Sequence, residues 1–199
     1  MWRPRRAWEI YGGWDMKQVL GIIILTSLLF SCSTTYTAYR QDMLDGTNSF
    51  RHGEYEQART YFMKALEEQR DARSLAFVAT ANYKLNDFAA AERYLTEAEK
   101  LKQTGFSDLR ILGYKALTLL KGNRKAGGME ALKEYTDSYS HVYPMPSIDQ
   151  IEQMWRKDAV DMAQLESLID EQVTTYEFEI DLYIATGVGW YSRFPPGFF

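Results

Sequence analysis

Apolar positions in the middle of this chain recur at helical spacing, in runs separated by turn signals. Tyr55, Ala58, Phe62, Ala65 and Leu66 fall on one face of a 3.6-residue period, and His52-Gly53 supplies a turn before them. Leu75, Val78, Ala79, Asn82 and Tyr83 do the same over Leu75–Leu85. Asn86-Asp87 is the next break, with Asp87 placed to cap the helix that follows. The pattern then repeats. Gly46, Tyr55, Ala58, Phe62 and Ala65 return 33 positions later as Ala79, Phe88, Ala91, Leu95 and Ala98. A period in the low thirties predicts stacked helix-turn-helix units. One such pair cannot bury its apolar face alone, so the units must stack.

A third unit is predicted with looser spacing. Leu109, Leu112, Gly113, Ala116, Leu117 and Leu120 form its first helix, with Gly113 at the small position. A basic loop, Lys121 to Gly128, follows. The second helix is expected from about Met129 to Ser140, displaced by some six residues, with Ala131 and Tyr135 at the spacing of Ala58 and Phe62. The loop is no P-loop, because it lacks the GK[ST] ending and a preceding strand.

Tyr143-Pro144-Met145-Pro146 ends the repeats, and Ser147 with Gln150 resembles a capping box. Ile148, Ile151, Trp155, Ala159, Met162, Leu165 and Ile169 share one stripe, predicting a helix that caps the open end of the stack. Over 173–192 two periods compete. Tyr176, Phe178, Ile180, Leu182 and Ile184 alternate with polar neighbours, favouring a strand or small β-hairpin turning at Gly187-Val188-Gly189. Tyr176, Ile180 and Ile184 also fit a helix. The tail Trp190 to Phe199 is too apolar for a typical solvated terminus and is expected to fold over a core edge or enter a groove.

The repeated small and aromatic positions from Tyr39 to about Gln103 resemble the tetratricopeptide repeat (TPR). The closing proline of that family is missing, with Arg70 and Gln103 in its place. The resemblance implies a mainly α fold over 39–140, a short helical-hairpin array followed by the C-terminal capping helix and tail of 147–199. It also implies that a partner segment binds the concave face lined by the first helices. Carried over by position, that face holds Arg40, Met43, Thr47, Phe50 and Arg51 in the first unit. Arg73, Ala76, Thr80, Tyr83 and Lys84 follow in the second, and Arg110, Tyr114 and Leu117 in the third. Arg40 pairs with Arg73, and Arg51 with Lys84, at the same offset of 33. The inner face is therefore expected to be basic and to take an acidic segment or a C-terminal carboxylate. The competing expectation is that these cations pair with Glu54, Glu56 or Glu67 on solvated faces.

Upstream, Met16 to Ser33 reads MKQVLGIIILTSLLFSCS: a lysine, an apolar run from Val19 to Phe30, then Leu29-Phe30-Ser31-Cys32. This resembles the lipobox of bacterial lipoprotein signal peptides, in a form similar to signals common in Bacteroidetes. It implies a signal peptide over 1–31, lipid attachment at Cys32, and a polar tether over 32–38. Several acyl chains on that residue would anchor the protein stably. No acidic residues come just after the cysteine, so the resemblance implies an outer-membrane lipoprotein whose body faces the periplasm. Met1 to Asp15 fits no signal peptide well, and Met16 is the expected start.

Composition narrows the chemistry. Residues 1–31 hold four of the 23 Lys/Arg and two of the 27 Asp/Glu, leaving 19 against 25 in the body. That balance argues against nucleic acid as the main partner. One cysteine and two separated histidines, His52 and His141, point to no metal site, and no cofactor is expected. The clustered carboxylates Glu177, Glu179 and Asp181 would share one solvent face of a strand, so a glycan-processing enzyme is the weakest reading. A membrane-anchored scaffold for another protein is the strongest, with a permanent subunit of an envelope assembly as its alternative.

Overall fold

The computed structural model describes residues 36–101, 108–139 and 147–189. Eight helices run through the described residues, and no strand occurs among them. Helix α1 spans 36–51, and α2 Tyr55–Glu68. Then come α3 Ala72–Lys84, α4 Phe88–Leu101, α5 Asp108–Lys121, α6 Lys125–Tyr139, α7 Ile148–Arg156 and α8 Met162–Thr186. The expected signal peptide, the expected start at Met16, the expected lipidation site Cys32 and the tail from Trp190 lie outside the described residues.

The first six helices form three hairpins, and each hairpin turns in the same way. Gly53, Asn86 and Asn123 take left-handed φ values of 78, 63 and 58°. In each turn the next residue donates its N–H five residues back: Glu54 to the Ser49 carbonyl, Asp87 to Asn82 and Arg124 to Leu119, all at 2.9 Å. These are Schellman caps, and they favour glycine or asparagine at the left-handed residue because most other side chains clash there. Asp87 also caps α4, accepting from the Ala90 N–H at 3.0 Å.

This common turn corrects the sequence register of the third unit. Its turn is no longer than the others, and α6 starts at Lys125 rather than near Met129. Measured from the left-handed residue, Ala58 and Ala91 match Gly128, and Phe62 and Leu95 match Leu132, not Tyr135. A Cβ on Gly128 would lie 2.5 Å from Leu120, so the hairpin closes there as it does at the two alanines. The small position of the first helices runs Gly46, Ala79, Ala116, and Gly113 lies one turn earlier. The period grows because the connection from α4 to α5 is longer than the three residues joining α2 to α3.

The core follows from this register. Phe62, Leu75, Leu95, Leu112, Leu117 and Leu132 are almost wholly buried between hairpins. Phe62 packs on Phe77 with ring centroids 4.9 Å apart. Asp71 caps α3 by accepting from the Ser74 N–H at 2.7 Å, and Tyr39 of α1 donates to the same carboxylate at 3.1 Å. That hydrogen bond ties the first hairpin to the second.

The C-terminal region departs from expectation in three ways. The single stripe from Ile148 to Ile169 is split into α7 and α8 by another Schellman turn, with Asp158 at φ 51°. Ser147 makes no capping hydrogen bond; instead Asp161 caps α8, accepting from the Ala163 and Gln164 N–H groups. Over 173–192 the helical period wins: α8 continues to Thr186 and stops at Gly187, whose φ is 68°. No β-hairpin forms among the described residues. The alternating reading failed because Leu165, Ile169, Gln172, Val173, Tyr176 and Ile180 make one buried stripe along α8.

Candidate functional site

The turn register brings out a ladder on the first helices. Arg40, Arg73 and Arg110 stand at one repeat position, and Arg51, Lys84 and Lys121 at another. In each unit the two cations are 11 residues apart, three helical turns or about 16 Å. Between them lie Leu44, Phe77 and Tyr114 at one equivalent position, and Thr47, Thr80 and Leu117 at the next.

Helix α8 lies antiparallel along this ladder in the second and third units. Lys84 near the end of α3 donates to Glu166 at 2.7 Å and to Asp170 at 2.5 Å, near the start of α8. Arg73, at the beginning of α3, meets Asp181 toward the end of α8 at 3.5 Å. Arg110 grips Glu177 with two bonds of 2.7 Å, and its Nη1 donates to the Thr80 hydroxyl at 3.2 Å. The guanidinium also lies 4.0 Å from the Phe77 ring centre. Tyr83 donates to Glu166 at 3.0 Å, and Tyr114 donates to Asp170. The acidic residues of α8 repeat at the spacing of the cations: Glu166 to Glu177 is 11 residues, and so is Asp170 to Asp181.

The protonation states follow from these contacts. Burial opposes charge on Arg110, but Glu177 beside it more than offsets this and holds the guanidinium above its ordinary value. Burial likewise opposes charge on Lys84, and the hydrogen bonds it donates to Asp170 and Glu166 raise it nonetheless. Burial would raise Glu166, yet the Lys84 hydrogen bond outweighs it and keeps this carboxyl below the usual range. Burial pushes the Tyr83 and Tyr114 phenols well up, with Glu166 and Asp170 adding to the shift.

An apolar seat fixes the helix as well. Gly113 leaves room for Ile169: a Cβ there would lie 2.7 Å from the isoleucine methyl and 3.2 Å from the Tyr135 ring. Gln172, fully buried, accepts from the Tyr135 hydroxyl at 2.6 Å.

The first unit is different. α8 does not cover its ladder. Leu44 is 54% exposed, whereas Phe77 at the same position of the second unit is 4% exposed. Arg40 touches the Tyr36 ring at 5.9 Å, and no carboxylate among the described residues pairs with Arg40 or Arg51. A cleft of about 240 Å³ remains between the end of α1 and α8. Thr47, Phe50 and Arg51 line one wall, Arg73 and Phe77 the floor, and Thr174, Phe178 and Asp181 the other wall. Phe50 packs against Tyr55 with centroids 5.1 Å apart and the rings tilted by 59°, giving the cleft an aromatic end.

Of the residues expected on the inner face, Thr47, Phe50, Arg51, Arg73, Lys84, Arg110 and Tyr114 meet around this cleft. Thr80 and Tyr83 are buried beneath α8, Met43, Ala76 and Leu117 are core, and Arg40 stands exposed farther along α1. The expected competitors Glu54, Glu56 and Glu67 take none of these cations; Glu56 pairs with Arg59 instead. The side chains that do take them, Glu166, Asp170, Glu177 and Asp181, were legible only as a helical face with a three-turn repeat. The acidic run around Glu177 is no strand face: Glu177 and Asp181 lie one turn apart on α8 and face the arginines. Among the described residues no group of His, Cys, Asp and Glu is arranged to hold a metal ion.

No family model matches the sequence. Among solved structures, the chain is similar to the TPR2B domain of yeast Sti1, solved as a TPR2B-domain:pHsp70 complex. The TM-score is 0.54 at 20% identity, covering 64% of this chain and 98% of that one. At that identity the likeness is one of fold: the three hairpins form a TPR-like array, as the sequence spacing predicts.

Proposed function

We propose that this protein is an interaction scaffold that holds a segment of another protein against the inner face of its first unit. One observation carries the reading: α8 meets the ladder at Arg73, Lys84 and Arg110 and leaves it unfilled along α1. Exposed Leu44 between Arg40 and Arg51, and Tyr36 one turn before Arg40, offer apolar contact and charge on one stripe, so an acidic partner segment suits it. A lipid on Cys32, four residues before α1, would tether that face close to a membrane, with the body in the periplasm.

The reading is tested by crosslinking from isolated membranes with photoreactive groups on α1. An R40E/R51E double variant should lose the crosslinked partner while keeping its circular dichroism spectrum. An unchanged crosslinking pattern would refute the binding face. Cys32→Ser should move the protein into the soluble fraction, and retention in the membrane fraction would refute the lipid tether.

A further inference from the structure

The unfilled stripe on α1 has an internal template for its ligand. On α3 the same repeat positions are met by one helix, α8, through carboxylates 11 residues apart: Asp181 reaches Arg73 while Asp170 reaches Lys84; on α5 the same helix meets Arg110 through Glu177, and Lys121 stays exposed. Arg73 and Lys84 are themselves 11 residues apart, and so are Arg40 and Arg51. Two antiparallel helices with opposite charges three turns apart stay in register along their whole contact, because each advances about 1.5 Å per residue. The apolar residue between the cations is Phe77 on α3 and Leu44 on α1. The first is covered, and the second is open.

We propose that the partner segment is an acidic amphipathic helix that lies antiparallel to α1. It presents carboxylates three turns apart to Arg40 and Arg51 and an apolar face to Leu44 and Tyr36. This rests on the scaffold reading and specifies the partner's chemistry. The helix adds alongside α8 and leaves α8 in place, because Arg110–Glu177 and the Lys84 pairs are largely buried.

A fluorescent peptide with the sequence of α8, Met162–Thr186, is a probe whose spacing is known to fit this ladder. It is titrated by anisotropy into the full chain, with the chain's own α8 followed by amide exchange. Wild type should bind one peptide. A peptide of identical composition, with its acids moved so that none lie three turns apart, should bind at least about tenfold more weakly. R40E/R51E should weaken the native peptide by about the same factor, and raising salt from 50 to 500 mM should weaken it further.

Equal binding of both peptides, with loss in R40E/R51E, would overturn the helical spacing and leave the scaffold reading standing. Equal binding of wild type and R40E/R51E, or no binding at all, would overturn the spacing, and unchanged membrane crosslinking in that variant would then remove the scaffold reading too. Loss of amide protection in the chain's own α8 would show exchange rather than addition and would also overturn the proposal. So would a wild-type chain that sediments as a dimer through α1, since a second copy would then be the occupant.

Discussion

The first unit and the second have the same design and opposite surroundings. Arg40 and Arg73, Leu44 and Phe77, and Arg51 and Lys84 occupy equivalent places on equivalent helices. In the second unit Phe77 and Lys84 are covered and both cations are paired, Arg73 at the exposed edge; in the first all three face solvent. The difference cannot lie in the local sequence, which is alike. It lies in α8, whose about 37 Å of helix runs along the third and second hairpins and leaves α1 uncovered. A repeat position therefore has no fixed energetic weight. The same arginine is structural where a carboxylate meets it and available where none does.

The sharpest way to break this comparison is to truncate equivalent residues. Phe77→Ala should cost about 3–5 kcal/mol in urea denaturation, because a fully covered ring leaves a cavity beside Phe62 and Arg110. Leu44→Ala should change stability by less than about 0.5 kcal/mol.

The arginines should divide the same way. Arg110→Ala strands the Glu177 carboxylate in a mostly covered site and should cost about 3 kcal/mol, while Arg40→Ala should be nearly silent in the same assay. Similar losses at both positions would mean that the first unit is not open.

Next in size is Gly113→Ala. The added methyl meets Ile169 and Tyr135 and should cost about 1–2 kcal/mol despite alanine's better helix propensity. Amide exchange should accelerate first in α8, since that helix is what the methyl displaces.

The smallest effect is on pH. Glu166 is held below its ordinary value by Lys84, so its contribution is present above the unfolded-state value of about 4.5 and is lost as pH falls through the lower folded value. Lys84 is raised, so its contribution holds below 10.5 and is lost only as pH rises through its higher folded value. Amide protection of α8 should thus be flat from pH 5 to 9 and fall below about 4.5. Loosening of α8 between pH 5 and 9 would contradict the pairing.

Much of this was legible in the chain, and the losses have physical causes. The 33-residue echo from Gly46 to Ala98 was readable because small and aromatic positions repeat wherever hairpins pack closely. The third unit was misread because Gly113 looks like another close-approach glycine, whereas the space it leaves is for Ile169 of α8. Anchoring on Asn86 and Asn123, the residues that must be left-handed, gives an offset of 37 and aligns Arg73 with Arg110, Lys84 with Lys121 and Ala79 with Ala116. The inner-face arginines were named from the repeat. Their occupants were not, because Glu177 and Asp181 sit in a stretch where alternating apolar residues imitate a strand, which hides their 11-residue match to Glu166 and Asp170. Only the tertiary packing of Tyr176 and Ile180 against the hairpins decides for helix.

Hydroxyl-radical footprinting of the full chain reads the central comparison most directly, because it reports side-chain exposure residue by residue. Tyr36 and Leu44 of the first unit should oxidise as exposed residues, with Phe77, Tyr83 and Tyr114 protected at least about tenfold relative to their intrinsic reactivity. If Phe77 and Tyr114 oxidise as readily as Leu44, α8 does not fill the ladder, and the contrast between the units is wrong.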